Sequence, residues 1–297
     1  MSSKNMLQMI VLASLWGASF LFMRISVPEF GAITLIALRV SIAALVLLPF
    51  WFLSESKQTR QVALNHWPAL IVVGLLNSSI PFVLFAYSML YITGGMASIL
   101  NGTAPIWGAV VAWAWLGSRL SKNAIIGLVL GFVGVVVLVG DELSIPSEGK
   151  LSAICAAAFA PFLYGIAANY TSKKLENVSA LSIAMFSLGL AGVSLLPLLY
   201  WFLPSQYPSI DAWLSLLALA VLCTSLAYLL YFKLLADVGS SKAITVTFMI
   251  PAFGSLWGAV FIGEVITPMM IAGMAIILFG TALVTGVVKL TNNTIDS

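Results

Sequence analysis

The sequence predicts an all-α integral membrane protein whose ten transmembrane helices form two inverted five-helix repeats. Three observations carry that reading. Hydrophobic residues make up 61% of the 297 and charged residues 8%, for a mean hydropathy of +1.10. Apolar runs close to the length needed to cross a bilayer core, about 20 residues, recur along the whole chain. The chain also matches itself at an offset of 146 residues.

An ordinary soluble domain is about a quarter charged, so the excess apolar surface here must face lipid. The 13 basic and 10 acidic residues leave a net charge of +3 and a pI near 8.9. The basic side chains are scattered singly or in pairs, with no patch for nucleic acid. Cys155 and Cys223 lie in apolar runs without a second Cys or His at ligand spacing. They read as packing residues, so no disulfide, metal or cofactor is expected. The first apolar run, Met6 to Met23, follows a lone Lys4 and continues into Arg24 and Pro28 without a small-residue cleavage site. It is expected to stay in the mature chain.

Polar, Gly and Pro punctuation places spans near residues 7–25, 31–53, 68–90, 94–117, 122–140, 150–170, 178–203, 212–236, 239–262 and 267–288. The runs are continuous rather than alternating, which selects helices over barrel strands. Short connections favour antiparallel neighbours. With a cytoplasmic N-terminus, Lys4, Lys57, Arg60, Arg119, Lys122, Lys173, Lys174, Lys233, Lys242 and Lys289 all fall on the inner side, and Lys150 falls outside. Both termini of this multi-pass chain are therefore expected in the cytoplasm, with the spans in the inner (plasma) membrane.

The offset of 146 superimposes Pro105 on Pro251, Gly117 on Gly263, Gly127 on Gly273, Gly134 on Gly280 and Gly140 on Gly286. It also pairs Ala97 with Ala243 and Ser121 with Thr267, dividing the chain into repeats 1–145 and 146–297. Upstream the register drifts, with Trp16-Gly17 opposite Phe159-Ala160 and Pro49 opposite Pro197. Five spans is an odd number, so the two copies enter the membrane from opposite faces. Inverted repeats of this kind support alternating access, because one pattern in two orientations gives two states of similar energy.

The residues also carry a family likeness: Leu15-Trp16-Gly17-Ala18-Ser19-Phe20, Ala37-Leu38-Arg39 through Leu48-Pro49, and Ala104-Pro105-Ile106 leading to Leu116-Gly117-Ser118-Arg119-Leu120-Ser121. The second copy supplies Ile250-Pro251 leading to Ile262-Gly263-Glu264-Val265-Ile266-Thr267. In order and spacing these resemble the drug/metabolite transporter superfamily, specifically its EamA-type ten-helix members, over nearly the whole chain. Ser118 departs from the pattern, since the family usually has Glu there and Glu264 keeps it in the second half. The resemblance implies a secondary transporter that exports amino-acid-like or drug-like solutes through a central cavity, and it transfers no particular substrate.

Arg39 sits roughly 12 Å into span 2, at about 1.5 Å per residue. An ionised group at that depth is costly and points to function. It would attract an anionic group of a substrate, or else cap carbonyls of a neighbouring helix. Arg24, near Glu29 at the edge of span 1, reads as an anchor or local pair. Asn77, Asn101, Thr103, Thr224, Thr245 and Thr247 lie in apolar spans and must find partners in another helix or a ligand. Trp16, Tyr87, Tyr164, Tyr228 and Tyr231 are candidate walls of a cavity, or interfacial anchors. The candidate substrate-binding set is thus Trp16, Arg39, Asn77, Tyr87, Asn101, Tyr164, Tyr228 and Thr247. Pro105 and Pro251 occupy matched places where each would kink its span and act as a hinge. Gly127-x-x-x-Gly131 and Gly254-x-x-x-Gly258 read as contacts within a monomer. Glu264 is expected to make a helix-end hydrogen bond.

No Asp or Glu falls near the middle of a span, so proton coupling through a buried carboxylate is not expected. No phosphate-binding loop is present. The single histidine, His66, lies in a loop, which leaves no imidazole base for an enzyme within the bilayer. The partners implied are lipid and a small-molecule substrate. A flippase for a lipid-linked metabolite and a small-solute channel stay open as alternatives.

Overall fold

A computed structural model describes residues 2–143 and 148–290; the repeat boundary expected at 145/146 lies outside the described residues. Among the described residues nine helices are long and apolar enough to cross a membrane. They are α1 (Ser3–Phe30), α2 (Ala32–Ser54), α3 (Trp67–Ser88), α4 (Gly94–Leu116), α5 (Lys122–Gly140), α6 (Lys150–Lys174), α7 (Ala180–Phe202), α8 (Ile210–Val238) and α9 (Thr245–Ile262). The tenth, α10 (Pro268–Val284), has 17 residues, about 26 Å at 1.5 Å per residue, near the lower limit for a span. Its last turn gives way to Gly286, at φ 74°. No strand occurs among the described residues. A short surface helix, Lys57–Asn65, links α2 to α3, its N-terminus capped by Ser56 Oγ accepting from Thr59 N at 3.1 Å.

The spans alternate in direction, as contacts at both ends of the bundle show. At the end carrying Lys57, Arg60, Lys173 and Lys174, Trp51 Nε1 donates to Ser182 Oγ at 2.8 Å, joining the end of α2 to the start of α7. At the opposite end Thr34 Oγ1 donates to the Phe202 carbonyl at 2.6 Å, joining the start of α2 to the end of α7. Tyr87 and Ser152 hydroxyls meet at 2.7 Å, where α3 ends and α6 begins. The two faces are called below the lysine-rich end and the Glu264 end.

The inverted symmetry is plainest between α5 and α10, the fifth helix of each repeat. A Cβ on Gly280 would lie 2.6 Å from the Gly127 carbonyl oxygen, and one on Gly134 would lie 3.0 Å from that of Gly273. Gly127 pairs with Gly273 in sequence and Gly134 with Gly280, so each repeat presents the same two glycines to the other, running oppositely. Close backbone approach takes the place of the hydrophobic effect, which is absent between helices in lipid.

The same element follows the same plan in α4 and α9. Both break before a proline and resume as 13-residue helices, Ala104–Leu116 and Ile250–Ile262. Pro105 and Pro251 fall in the first turn of these segments, where the missing N–H costs nothing. Both segments end on left-handed glycines, Gly117 at φ 67° and Gly263 at φ 69°, a conformation that disfavours any side chain. The stretch before Pro251 is not a plain α-helix: Ile244–Phe248 is wound as a 3₁₀ segment.

Gly127→Val should drive a side chain into the Gly280 carbonyl and destabilise the α5–α10 pair by about 1–3 kcal/mol. Gly140→Ala, where nothing lies within 4 Å of the new Cβ, should be neutral or slightly stabilising. Thermal unfolding of both variants in detergent checks this, and equal melting temperatures would refute the contact.

Candidate functional site

Arg39 is 4% exposed about a third of the way along α2, near the buried Ala37 and Val40. Its Nε donates to Thr224 Oγ1 at 3.1 Å and its Nη1 approaches Met23 Sδ at 3.6 Å. The guanidinium carbon stands 4.0 Å above the centre of the Phe82 ring, a cation–π contact that strengthens when desolvated. Of the five N–H groups of the guanidinium, these contacts engage the one on Nε and one on Nη1. Among the described residues the ionisable groups that act on Arg39 are Tyr164, Cys223 and Tyr228, with no carboxylate.

Two widened π-helical turns bring the partners to it. One spans Leu75–Ser79 in α3 and the other Ala218–Leu226 in α8. Such turns insert a residue into the helix, re-aim its side chains and cluster at functional sites. In α8, Thr224 Oγ1 donates to the Leu219 carbonyl five residues earlier, at 2.7 Å, which leaves its lone pairs free to accept from Arg39. Ser225 Oγ reaches the carbonyls of Ala220 at 3.0 Å and Ala43 at 3.1 Å, tying the same turn to α2. In α3 the turn carries Asn77, whose side chain lies beside Tyr228.

The structure therefore brings together Arg39, Asn77, Tyr164 and Tyr228 of the expected set. Trp16 and Tyr231 form a neighbouring aromatic pair with ring centres 5.4 Å apart. Asn101 is partly exposed at the break in α4, and Thr247 is partly exposed in the 3₁₀ segment of α9. Thr103 and Thr245 are satisfied locally by the carbonyls of Leu100 and Lys242, at 2.7 and 2.6 Å. Tyr87 stands apart, at the Glu264 end with Ser152 and Tyr91. Arg24 and Glu29 do not pair with each other: Arg24 donates to the Met89 carbonyl, and Glu29 accepts from Ser209 Oγ at 2.7 Å at the start of α8. Each serves the end of a different helix, because an exposed carbonyl or N–H there is a better partner than a screened surface ion. Among the described residues no group of three or more His, Cys, Asp or Glu is placed to hold a metal ion.

Phe82 and Met23 escaped the sequence reading, since an apolar residue in an apolar span carries no signal. The π-helical turns did leave one. Asn77-Ser78-Ser79 and Cys223-Thr224-Ser225 are small polar clusters in otherwise apolar helices, and they are 146 residues apart.

A second feature lies at the lysine-rich end, an open groove of about 690 Å³ between α2 and α7. Leu48, Trp51, Phe186 and Val193 line it, with Lys57 and Arg60 at its rim.

Comparison with known proteins places this geometry in context. The profile of the EamA-like transporter family matches residues 3–140 and again 151–286. The chain is 25% identical over 280 residues to the uncharacterized transporter YoaV of Bacillus subtilis, covering 93% of this chain and 95% of that one. It is 24% identical to an uncharacterized transporter of Archaeoglobus fulgidus, over 95% and 98% of the two chains. It is 21% identical to the probable terminal-alkyne amino-acid exporter of Streptantibioticus cattleyicolor, over 95% and 93%. A solved crystal structure shares the fold, with a TM-score of 0.68 at 19% identity, covering 98% of this chain and 100% of the other.

Thr224→Val keeps the shape of the side chain but leaves the buried Arg39 Nε–H without its acceptor, a loss of about 1–3 kcal/mol. Thr224→Ser should restore it. Unfolding midpoints of the purified variants measure the difference, and a Val variant as stable as the Ser variant would show that this bond contributes nothing.

Proposed function

The chain belongs to the EamA-like transporter family, and from that premise we propose that it is a secondary transporter exporting a small, amino-acid-like or drug-like metabolite by alternating access. The observation that carries the reading is the buried Arg39 cation, which has no carboxylate beside it among the described residues. An uncompensated charge in the middle of a bilayer is expensive and is retained where it meets a ligand. Arg39 meets a carboxylate or similar anionic group of the substrate. Tyr164, Tyr228 and Asn77 supply hydroxyl and amide groups around it, and Trp16 and Tyr231 accept the apolar body. Pro105 and Pro251, where α4 and α9 break, are the hinges. The exporter named above, similar over nearly its whole length, supports an amino-acid-like solute.

In this reading the lysine-rich end faces the cytoplasm, supported by the excess of basic residues at those helix ends, and the protein resides in the inner (plasma) membrane. A second reading draws on the groove between α2 and α7, whose apolar walls and basic rim suit the tail and headgroup of a lipid-linked substrate. Arg39 does not line that groove, so the two readings use different residues.

Counterflow of radiolabelled amino acids into proteoliposomes tests the first. Arg39→Ala, once shown to insert normally, should lower transport by tenfold or more, because a charge-assisted hydrogen bond contributes about 1.5–3 kcal/mol. Kinetics unchanged from the parent protein would remove Arg39 from the pathway. A loss of activity confined to Arg60→Ala would instead favour the groove. For orientation, cysteines introduced by Gln58→Cys and Glu148→Cys should react with impermeant reagents from opposite faces, position 58 from the cytoplasm.

A further inference from the structure

The two broken helices, α4 and α9, touch at one end of the bundle and part at the other. At the Glu264 end the contact is tight. A Cβ on Gly254 would collide with Ser98, and one on Gly95 would lie 3.2 Å from Ser255 Oγ. Residues 94–100 are all buried. The Glu264 carboxylate closes this contact. Its Oε1 accepts from Gly94 N at 2.8 Å and its Oε2 from Gly95 N at 3.1 Å, so one side chain from the end of α9 holds the first turn of α4. Gly258, where a Cβ would run into the carboxylate, leaves room for it to fold back.

Toward the lysine-rich end each helix takes a different partner. α4 leans on α6, with a Cβ on Gly165 only 2.8 Å from Gly108 N and with Asn169 Nδ2 donating to the Gly108 carbonyl at 2.9 Å. α9 stays with α1 and α8, where Ala243 and Val246 are buried with Leu12, Ala13, Ala227 and Leu234. The internal repeat measures the asymmetry. Gly254 and Gly108 are equivalent across the 146-residue offset, yet a Cβ on Gly108 would meet nothing within 4 Å. Glu264 and Ser118 are equivalent too, and Ser118 is exposed.

We infer that Glu264 is the latch of the gate at its own end, and that this structure is the state closed there and open toward the lysine-rich end. Inverted symmetry supplies the other state by exchanging the roles of the repeats. Gly108 then packs against the backbone near residue 244, and position 118 faces the N–H groups of residues 240 and 241. Serine there is too short and uncharged to hold them as Glu264 holds Gly94 and Gly95, so only one gate carries a carboxylate latch. The resting preference for the state closed at the Glu264 end follows from that single difference. Glu264 acts here as a positioning residue and touches no substrate.

The inference rests on the alternating-access reading above, and its test needs no substrate. In a full-length background with Cys155 and Cys223 replaced by alanine, Ser255→Cys reports on the Glu264 end and Gly108→Cys on the lysine-rich end. The probe is an impermeant methanethiosulfonate applied from each face. Glu264→Gln should raise labelling at position 255 and lower it at position 108, changing the ratio of the two rates by about tenfold, the shift in equilibrium constant for one lost charge-assisted hydrogen bond. Ser118→Glu, which installs a second latch without disturbing the first contact, should move both reporters in the same directions. A variant that merely loosens the fold raises both rates, and that result overturns the latch. Reciprocal labelling with Ser118→Glu but silence with Glu264→Gln overturns the latch and leaves alternating access standing. Silence in both variants overturns the two together.

Discussion

A guanidinium held away from water, with no carboxylate among the described residues to balance it, is the constraint around which the interior of this bundle is arranged. Arg39 is satisfied by weak and indirect means: a hydroxyl at 3.1 Å, a thioether at 3.6 Å and the face of Phe82. Two helices depart from α geometry where they approach it, and their wide turns supply Thr224 and Asn77. A permanent pairing with Asp or Glu would have made the interior more self-contained. It would also have left no charge for an incoming anion to meet.

The second organising fact is repetition. One pattern of glycines and prolines, read in both orientations, gives the α5–α10 glycine pairing, the 13-residue half-helices after Pro105 and Pro251, and the left-handed caps at Gly117 and Gly263. Where the repeats obey the same rule, the fold is symmetric and stable. Where they differ, as at Ser118 and Glu264 or in the surroundings of Gly108 and Gly254, the molecule takes, on the alternating-access reading proposed above, one of two available arrangements. Interfaces of close-packed small residues suit such a choice, because they are bistable rather than continuously deformable.

Much of this was legible from residues alone. The spans follow from apolar runs of bilayer length, and their observed bounds differ from the expected ones by a few residues where capping intervenes, as at Gly286. The inverted architecture follows from an odd number of spans and an offset visible in seven residue pairs. The depth of Arg39 followed from its place in span 2. Tyr87 shows the limit: its type and setting matched those of Tyr164 and Tyr228, yet it belongs to the rim. Nothing in an apolar run says which face of a helix a tyrosine shares with an arginine on another helix.

Local chemistry therefore determined which segments cross the membrane, that they fall into two opposed copies, and that a charge lies buried in one of them. Hydropathy, helix breaking by proline and the left-handed tolerance of glycine act within a few residues and can be read along the chain. Tertiary structure alone decided the partners of Arg39, the widening of α3 and α8, and the reach of Glu264 across to α4. Those outcomes depend on the relative rotation and register of helices separated by up to 185 residues, and such relations are settled only when the whole bundle packs.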